Sequence, residues 1–185
     1  MRPLFLCVKF QKEVWDMPLF CPEFRFHRVE EITSDFLTEH GIRGILLDVD
    51  NTLSPHNAPM PEEGALAWLK QLHEAGIEVV IVSNNREPRV APFAAKLGLR
   101  HISRAGKPLP GGFNRARKML GCDRSRLAVV GDQLFTDMTG GNLAGMLTLL
   151  VDPILPEDGA FFRFKRALEK PLLARWERMH QKGGK

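Results

Sequence analysis

Apolar residues in this chain fall into short unbroken runs separated by longer stretches of helical period. The runs at 44–48, 78–83, 127–130 and 147–151 are nearly continuous, as strands buried on both faces of a parallel sheet would be, and 99–102 predicts a shorter strand. Between the first two, Leu66, Trp68, Leu69 and Leu72 recur at helical spacing over 61–75, with Pro61 suited to the first turn and Gly76 to the stop. Further helices are predicted over 29–40, with Thr33 or Ser34 as cap and Gly41 as stop, and over 88–97, 112–120 and 136–144. Strands alternating with helices imply βαβ units, hence an α/β fold with a central parallel sheet covered by helices on both faces.

The two ends do not share this pattern. Residues 1–28 mix aromatics, prolines and charges without a period and predict an irregular lead-in, within which Met17 is a candidate start. The patterned domain spans 29–152. After it, 153–185 interleaves Phe161, Phe162 and Phe164 with Arg163, Lys165 and Arg166, then places Leu168, Leu172, Leu173, Trp176 and Met179 near helical spacing. This is a basic amphipathic segment, which either packs on the domain or lies against an anionic bilayer. Pro171 predicts a break that divides it into two pieces.

Composition narrows the class. The apolar fraction of 44% and charged fraction of 26% are those of a globular protein of one domain. The formal charge of +4 is too small to predict a nucleic-acid partner, and it sits in the tail, where 163–185 holds eight Lys or Arg against two Glu. Three cysteines without a CxxC spacing predict neither a disulfide framework nor a cysteine-rich zinc site, and fit a reducing cytoplasm. The apolar start is interrupted too early for a signal peptide, and no run is long enough for a membrane span. The expected location is therefore cytoplasmic, with peripheral contact at the inner face of the membrane through the tail.

In open α/β sheets ligands bind beyond the carboxyl ends of the strands, so the residues after each run are the candidates for chemistry. The first run ends in Asp48-Val-Asp50-Asn-Thr52, the second in Ser83-Asn84-Asn85, and the fourth in Gly131-Asp132-Gln-Leu-Phe-Thr-Asp137, while Gly106-Lys107-Pro108 precedes a helix. Each taken alone is a loop or a helix cap; in combination they suit transfer of a phosphoryl group, which needs a nucleophile, a hydroxyl donor, a fixed cation and carboxylates for a hard metal ion. The six histidines have no metal-ligand spacing, and no P-loop motif occurs.

These four motifs, in this order, resemble the signature of the haloacid dehalogenase (HAD) superfamily. The resemblance implies a HAD-like Rossmannoid fold and a phosphatase in which Asp48 is the nucleophile and Asp50 the general acid and base. It implies that Ser83 hydrogen-bonds a phosphoryl oxygen, that Lys107 adds a positive charge beside the nucleophile, that Thr52 and Asn84 bind substrate, and that Asp48, the carbonyl of Asp50, Asp132 and Asp137 hold Mg²⁺. Asp137 would serve through metal-bound water or by orienting Lys107. A receiver domain shares the acceptor aspartate, hydroxyl and lysine, but the second acid of the DxD pair favours hydrolysis.

Cap domains of this superfamily are inserted between the first and second motifs or the second and third, and both intervals are short here, so no large cap and an open site are expected. Closer in, the stretch from Gly41 to Leu53, Ser83-Asn-Asn, Lys107-Pro with Gly112-Phe113, and the fourth motif followed by Gly140-Gly-Asn resemble the YqeG-like subfamily IIIA phosphatases. Those are similar to the mitochondrial phosphatidylglycerophosphate phosphatases. The expected substrate is accordingly a phosphorylated lipid head group, with phosphatidylglycerophosphate the best single choice. The alternatives are a soluble sugar phosphate or nucleotide, or a non-catalytic HAD-like protein that binds a ligand or partner at the same site.

Overall fold

The computed structural model describes residues 19–56, 58–155 and 160–182, and within the last helix the side chains of 164, 165 and 167–179. The proposed start at Met17 and most of the predicted lead-in lie outside the described residues.

Alternation at period two is what places each strand between two apolar layers. In β2 (Gly44–Leu47), β3 (Glu78–Val82), β5 (Leu127–Gly131) and β6 (Leu147–Val151), Ile45, Leu47, Val79, Ile81, Ala128, Val130, Leu149 and Val151 face one core. Leu46, Val80, Val82, Leu127, Val129 and Leu150 face the other. Helices α1 (Ser34–Glu39), α2 (Glu63–Glu74) and α3 (Glu87–Lys96) supply Leu37, Trp68, Leu72, Val90 and Phe93 to the first core. Helices α4 (Pro110–Leu120) and α5 (Thr139–Ala144) supply Phe113, Ala116 and Ala144 to the second. Trp68 is a packing residue, buried with its indole N–H donating to the Ile32 carbonyl at 2.8 Å.

The described strands form one parallel six-stranded sheet in the order β1-β6-β5-β2-β3-β4, where β1 is Phe24–Phe26 and β4 is Arg100–Ile102. The chain runs outward from β2 through β3 and β4, then returns to the far side of β2 with β5. The order therefore reverses between β2 and β5, the place where an open α/β sheet leaves a crevice at its carboxyl edge. Among the described residues no large cap covers that edge: the chain between β2 and β3 is one loop and α2.

Two expectations are corrected. β1 (Phe24–Phe26) lies in the stretch read as irregular, yet it pairs with β6 in the register Phe24↔Leu149 to Phe26↔Val151. A strand of three residues is too short to show a period, and an edge strand needs hydrogen bonds on one side only. The second correction is α6, a single helix from Ala160 to Lys182 that runs through Pro171. Pro171 is exposed, so the carbonyl left without its helical donor can be solvated, which lowers the cost of the missing bond. The 29–40 prediction divides into a short turn at Val29–Glu31 and α1, whose cap is Thr33, accepting the Phe36 N–H at 3.1 Å.

The tail packs on the domain. Leu172 and Leu173 rest against the second core, the Trp176 indole donates to the Pro22 carbonyl at 2.7 Å, and Glu169 is buried. No helix among the described residues is long and apolar enough to cross a membrane.

Candidate active site

The centre of the sheet's carboxyl edge is built from the ends of β2, β3 and β5. Asp48 continues β2, its N–H donating to Val130 of β5 at 2.9 Å. Asp132 follows β5 on one side and Ser83 follows β3 on the other. Carboxylate oxygens of Asp48, Asp132 and Asp137 lie within 4.8 Å of one another. The residues that the motifs predicted thus converge on the reversal point of the strand order.

Lys107 reaches this cluster from the loop before α4. Its ammonium donates to Asp48 Oδ1 at 2.7 Å and Asp137 Oδ1 at 2.6 Å, with the lysine side chain 4% and that of Asp137 1% exposed. The loop that carries it is laced to the end of β3. Asn84 spends both ends of its side-chain amide on the Lys107 backbone, donating to the carbonyl at 3.0 Å and accepting the N–H at 2.7 Å. Ala105 N–H donates to the Ser83 carbonyl at 2.9 Å, and Ser83 Oγ accepts the Asn85 N–H at 3.1 Å, leaving the hydroxyl hydrogen to be donated. This geometry suits one task expected of Asp137, orienting Lys107, and its carboxylate also belongs to the acid cluster where a metal would sit.

Burial pushes the Asp48 carboxyl up to about 6. The Lys107 ammonium works against that rise, while the nearby Asp137 and Asp50 carboxylates add to it. Burial also works against the charged form of Lys107, but Asp137 and Asp48 outweigh it and hold the ammonium well above the usual lysine range. The lysine is therefore a fixed charge at any working pH. Three carboxylates around one ammonium leave an excess of negative charge in a buried place, and every group on offer is oxygen. Such a donor set suits a hard divalent cation.

Asp50 stands outside the carboxylate cluster. Its Oδ2 accepts from Asn85 Nδ2 at 2.5 Å and its Oδ1 from the Arg89 guanidinium at 2.9 Å, with His56 Nδ1 at 3.9 Å. Sequence reasoning assigned no role to Arg89, Asn85 or His56. The available signal was that α3 begins at the sheet's carboxyl edge, which brings its first turn, Arg89 included, beside the site. The loop between Asp50 and Thr52 turns through Asn51, whose φ of 61° is left-handed, a conformation asparagine tolerates better than most residues. Thr52 is buried behind this turn, and its hydroxyl has no hydrogen-bond partner among the described residues.

Comparisons with known proteins point the same way. The model of the haloacid dehalogenase-like hydrolases matches residues 58–145, and that of mitochondrial PGP phosphatase matches residues 7–92. The chain is 38% identical over 159 residues to the probable phosphatase YqeG of Bacillus subtilis, covering 86% of this chain and 92% of that protein. It is 29% identical over 177 residues to phosphatidylglycerophosphate phosphatase 1 of Arabidopsis thaliana, chloroplastic and mitochondrial, covering 89% of this chain and 50% of that one. The crystal structure of 4-nitrophenylphosphatase from Thermotoga maritima superposes with a TM-score of 0.52 at 14% identity, over 63% of this chain and 88% of that one, a likeness of fold.

Proposed function

The chain belongs to the YqeG phosphatases among the haloacid dehalogenase-like hydrolases, and from that membership we propose Mg²⁺-dependent hydrolysis of phosphatidylglycerophosphate through an aspartyl phosphate on Asp48. The observation that carries this reading is the Lys107 ammonium between Asp48 and Asp137, beside Asp132 at the reversal of the strand order.

Asp48, Asp132 and Asp137 would hold the ion together with the Asp50 carbonyl; when bound, Mg²⁺ supplies positive charge to the phosphoryl oxygens. A carboxylate oxygen of Asp48 attacks phosphorus as the bond to the leaving oxygen breaks, and Asp50 gives that oxygen a proton. Asp50 then takes a proton from water, whose oxygen displaces Asp48 and releases phosphate. Lys107 keeps its charge beside the nucleophile throughout, and Ser83 donates its hydroxyl hydrogen to a phosphoryl oxygen. Thr52 and Asn84 complete the pocket, Asn84 through the lysine loop that it holds. Arg89 and Asn85 fix the direction of Asp50 between the two steps.

Two features favour a lipid substrate over a small soluble one. The Arabidopsis relative bears that activity in its name, and an uncapped edge admits a phosphate protruding from something bulky. The outward face of α6 would provide the contact with lipid: Phe164, Leu168 and Met179 are exposed on the same face as Arg175 and Arg178, at spacings of three, four and seven residues. The deciding assay compares phosphatidylglycerophosphate in detergent micelles with soluble sugar phosphates and nucleotides. Hydrolysis of the lipid should dominate, vanish on chelation and return with Mg²⁺. Faster turnover of any soluble ester would refute the substrate, and full turnover in metal-free protein would refute the cofactor.

A further inference from the structure

We propose that Glu169, on the C-terminal helix, is a positioning residue for the metal-holding loop, so that α6 is part of the catalytic unit. The proposal rests on the reading of Asp48, Asp132 and Asp137 as ligands of a divalent cation.

The loop after β5 has a demanding geometry. It must present Asp132, make the single wide turn Leu134–Met138, and bring Asp137 back against the end of the strand. There a Cβ on Gly131 would stand 2.4 Å from Asp137 Cγ, so Asp137 is seated against bare backbone. Inside the turn, the N–H groups of Asp137 and Met138 both donate to the Gln133 carbonyl, at 3.0 and 3.2 Å. The Leu134 carbonyl accepts from Thr139 Oγ1 at 2.8 Å. The Leu134 N–H, at the start of the turn, has no acceptor within the turn and points to α6, where Glu169 Oε1 accepts it at 3.1 Å.

Glu169 is 2% exposed and Leu134 1%. A buried carboxylate is costly unless hydrogen bonds repay its lost hydration, and an unpaired buried N–H is costly as well. This contact, between residues 35 apart in sequence, gives the buried N–H its acceptor and the buried carboxylate a donor. One turn earlier on α6, the Lys165 ammonium donates to Gln133 Oε1, holding the residue between Asp132 and Leu134. The helix therefore grips the loop at two consecutive residues, immediately after one proposed ligand and three residues before the other. Leu172, Leu173 and the Trp176 indole anchor the helix, which gives Glu169 a rigid base. Nothing in this arrangement touches substrate; Glu169 acts by fixing where Asp132 and Asp137 stand.

What Leu134 needs is an acceptor, and glutamine retains one. The test is Mn²⁺ titration, read by electron paramagnetic resonance, of metal-free full-length protein as wild type, Glu169→Gln and Glu169→Leu. Loss of a group that orients metal ligands costs about 10- to 100-fold in metal affinity. Glu169→Leu should show that loss, and Glu169→Gln should bind close to the wild type. If the wild type binds no Mn²⁺, the metal reading itself fails. If Glu169→Leu binds as the wild type does, or Glu169→Gln is weakened as much as Glu169→Leu, only this inference is overturned. Should Glu169→Leu not fold, the Leu134 amide decides by NMR. In Glu169→Gln it should remain protected from exchange and move upfield as a neutral acceptor replaces a charged one. Exchange of that amide at the rate of an exposed loop would overturn the assignment.

Discussion

Replacing Lys107 by methionine separates the structural duty of the buried ammonium from its catalytic one. The side chain keeps its unbranched shape, one atom shorter, and loses its charge, leaving Asp48 and Asp137 without the donor they share at 2.7 and 2.6 Å. Breaking a buried ion pair by removing one partner costs about 3–5 kcal/mol, and in a domain of this size each kcal/mol lowers Tm by about 2–4 °C. In chelator at pH 8, Lys107→Met should therefore melt about 6–20 °C below the wild type.

The deficit must depend on pH, and its sign follows from Asp48. Its folded pKa is raised from 3.8 to about 6, so its ionisation withdraws stability as pH rises through that window, a linkage of roughly 3 kcal/mol at neutral pH. Lys107 is one of the groups that restrain the rise. Without it the Asp48 carboxyl titrates higher still, and the window widens upward. At pH 5 the variant holds Asp48 protonated and unrepelled, so the gap between the two melting curves should narrow. Calorimetry from pH 5 to 8 in chelator checks this. Equal melting temperatures at pH 8, or a deficit that does not change with pH, would refute the reasoning. Turnover should stay lost at every pH.

Asp48→Asn should leave the fold intact by circular dichroism and abolish both phosphate release and acid-stable phosphoenzyme trapped from labelled substrate, because an amide is no nucleophile. Gly131→Ala should cost about 1–3 kcal/mol in denaturant titration, as overpacking does, and should weaken Mg²⁺ activation more than it weakens the fold, since the new methyl displaces Asp137. The pair Arg175→Glu and Arg178→Glu alters only exposed positions on α6, so it should abolish sedimentation with anionic vesicles at low salt while turnover of a soluble ester is unchanged. Failure of the wild type to sediment would remove the lipid contact from the proposal.

The sheet and the central residues of the site were legible in the sequence for a common reason. A parallel strand buried on both faces must be an apolar run, and the polar residue that ends it stands at the ligand-binding edge. Asp48, Ser83 and Asp132 announce themselves in this way, whereas Lys107 carries almost no signal alone and is found only through its place in the set of four motifs. What stayed hidden depends on contacts between distant segments. Arg89 looks like a surface residue, and Asn85 stands in the second motif without a task, until α3 is set against the loop that carries Asp50. Glu169 looks like one more charge on an amphipathic helix, and only the docking of α6 buries it. Pro171 predicted a break because its cost was judged from the helix alone, whereas its position on the solvent side leaves the orphaned carbonyl to water.

The glycines in and beside the third and fourth motifs show why charged and small residues occur there together. A Cβ on Gly140 would lie 2.2 Å from the Phe113 ring, one on Gly141 2.6 Å from Thr148 Cγ2, and one on Gly112 2.6 Å from the Ala105 carbonyl. Each contact draws one layer closer to the next: Gly140 brings α5 onto α4, Gly141 brings α5 onto the sheet, and Gly112 brings α4 under the loop that ends in Lys107. The reach of a lysine is fixed, so the separation between its backbone and the carboxyl edge decides whether its ammonium can touch Asp48 and Asp137 together. Bulk at Gly112 or Gly140 would raise α4 and carry Lys107 with it, and bulk at Gly131 would push Asp137 away from the same ammonium. The acids and the lysine supply the charges, and the glycines set the distances at which those charges act.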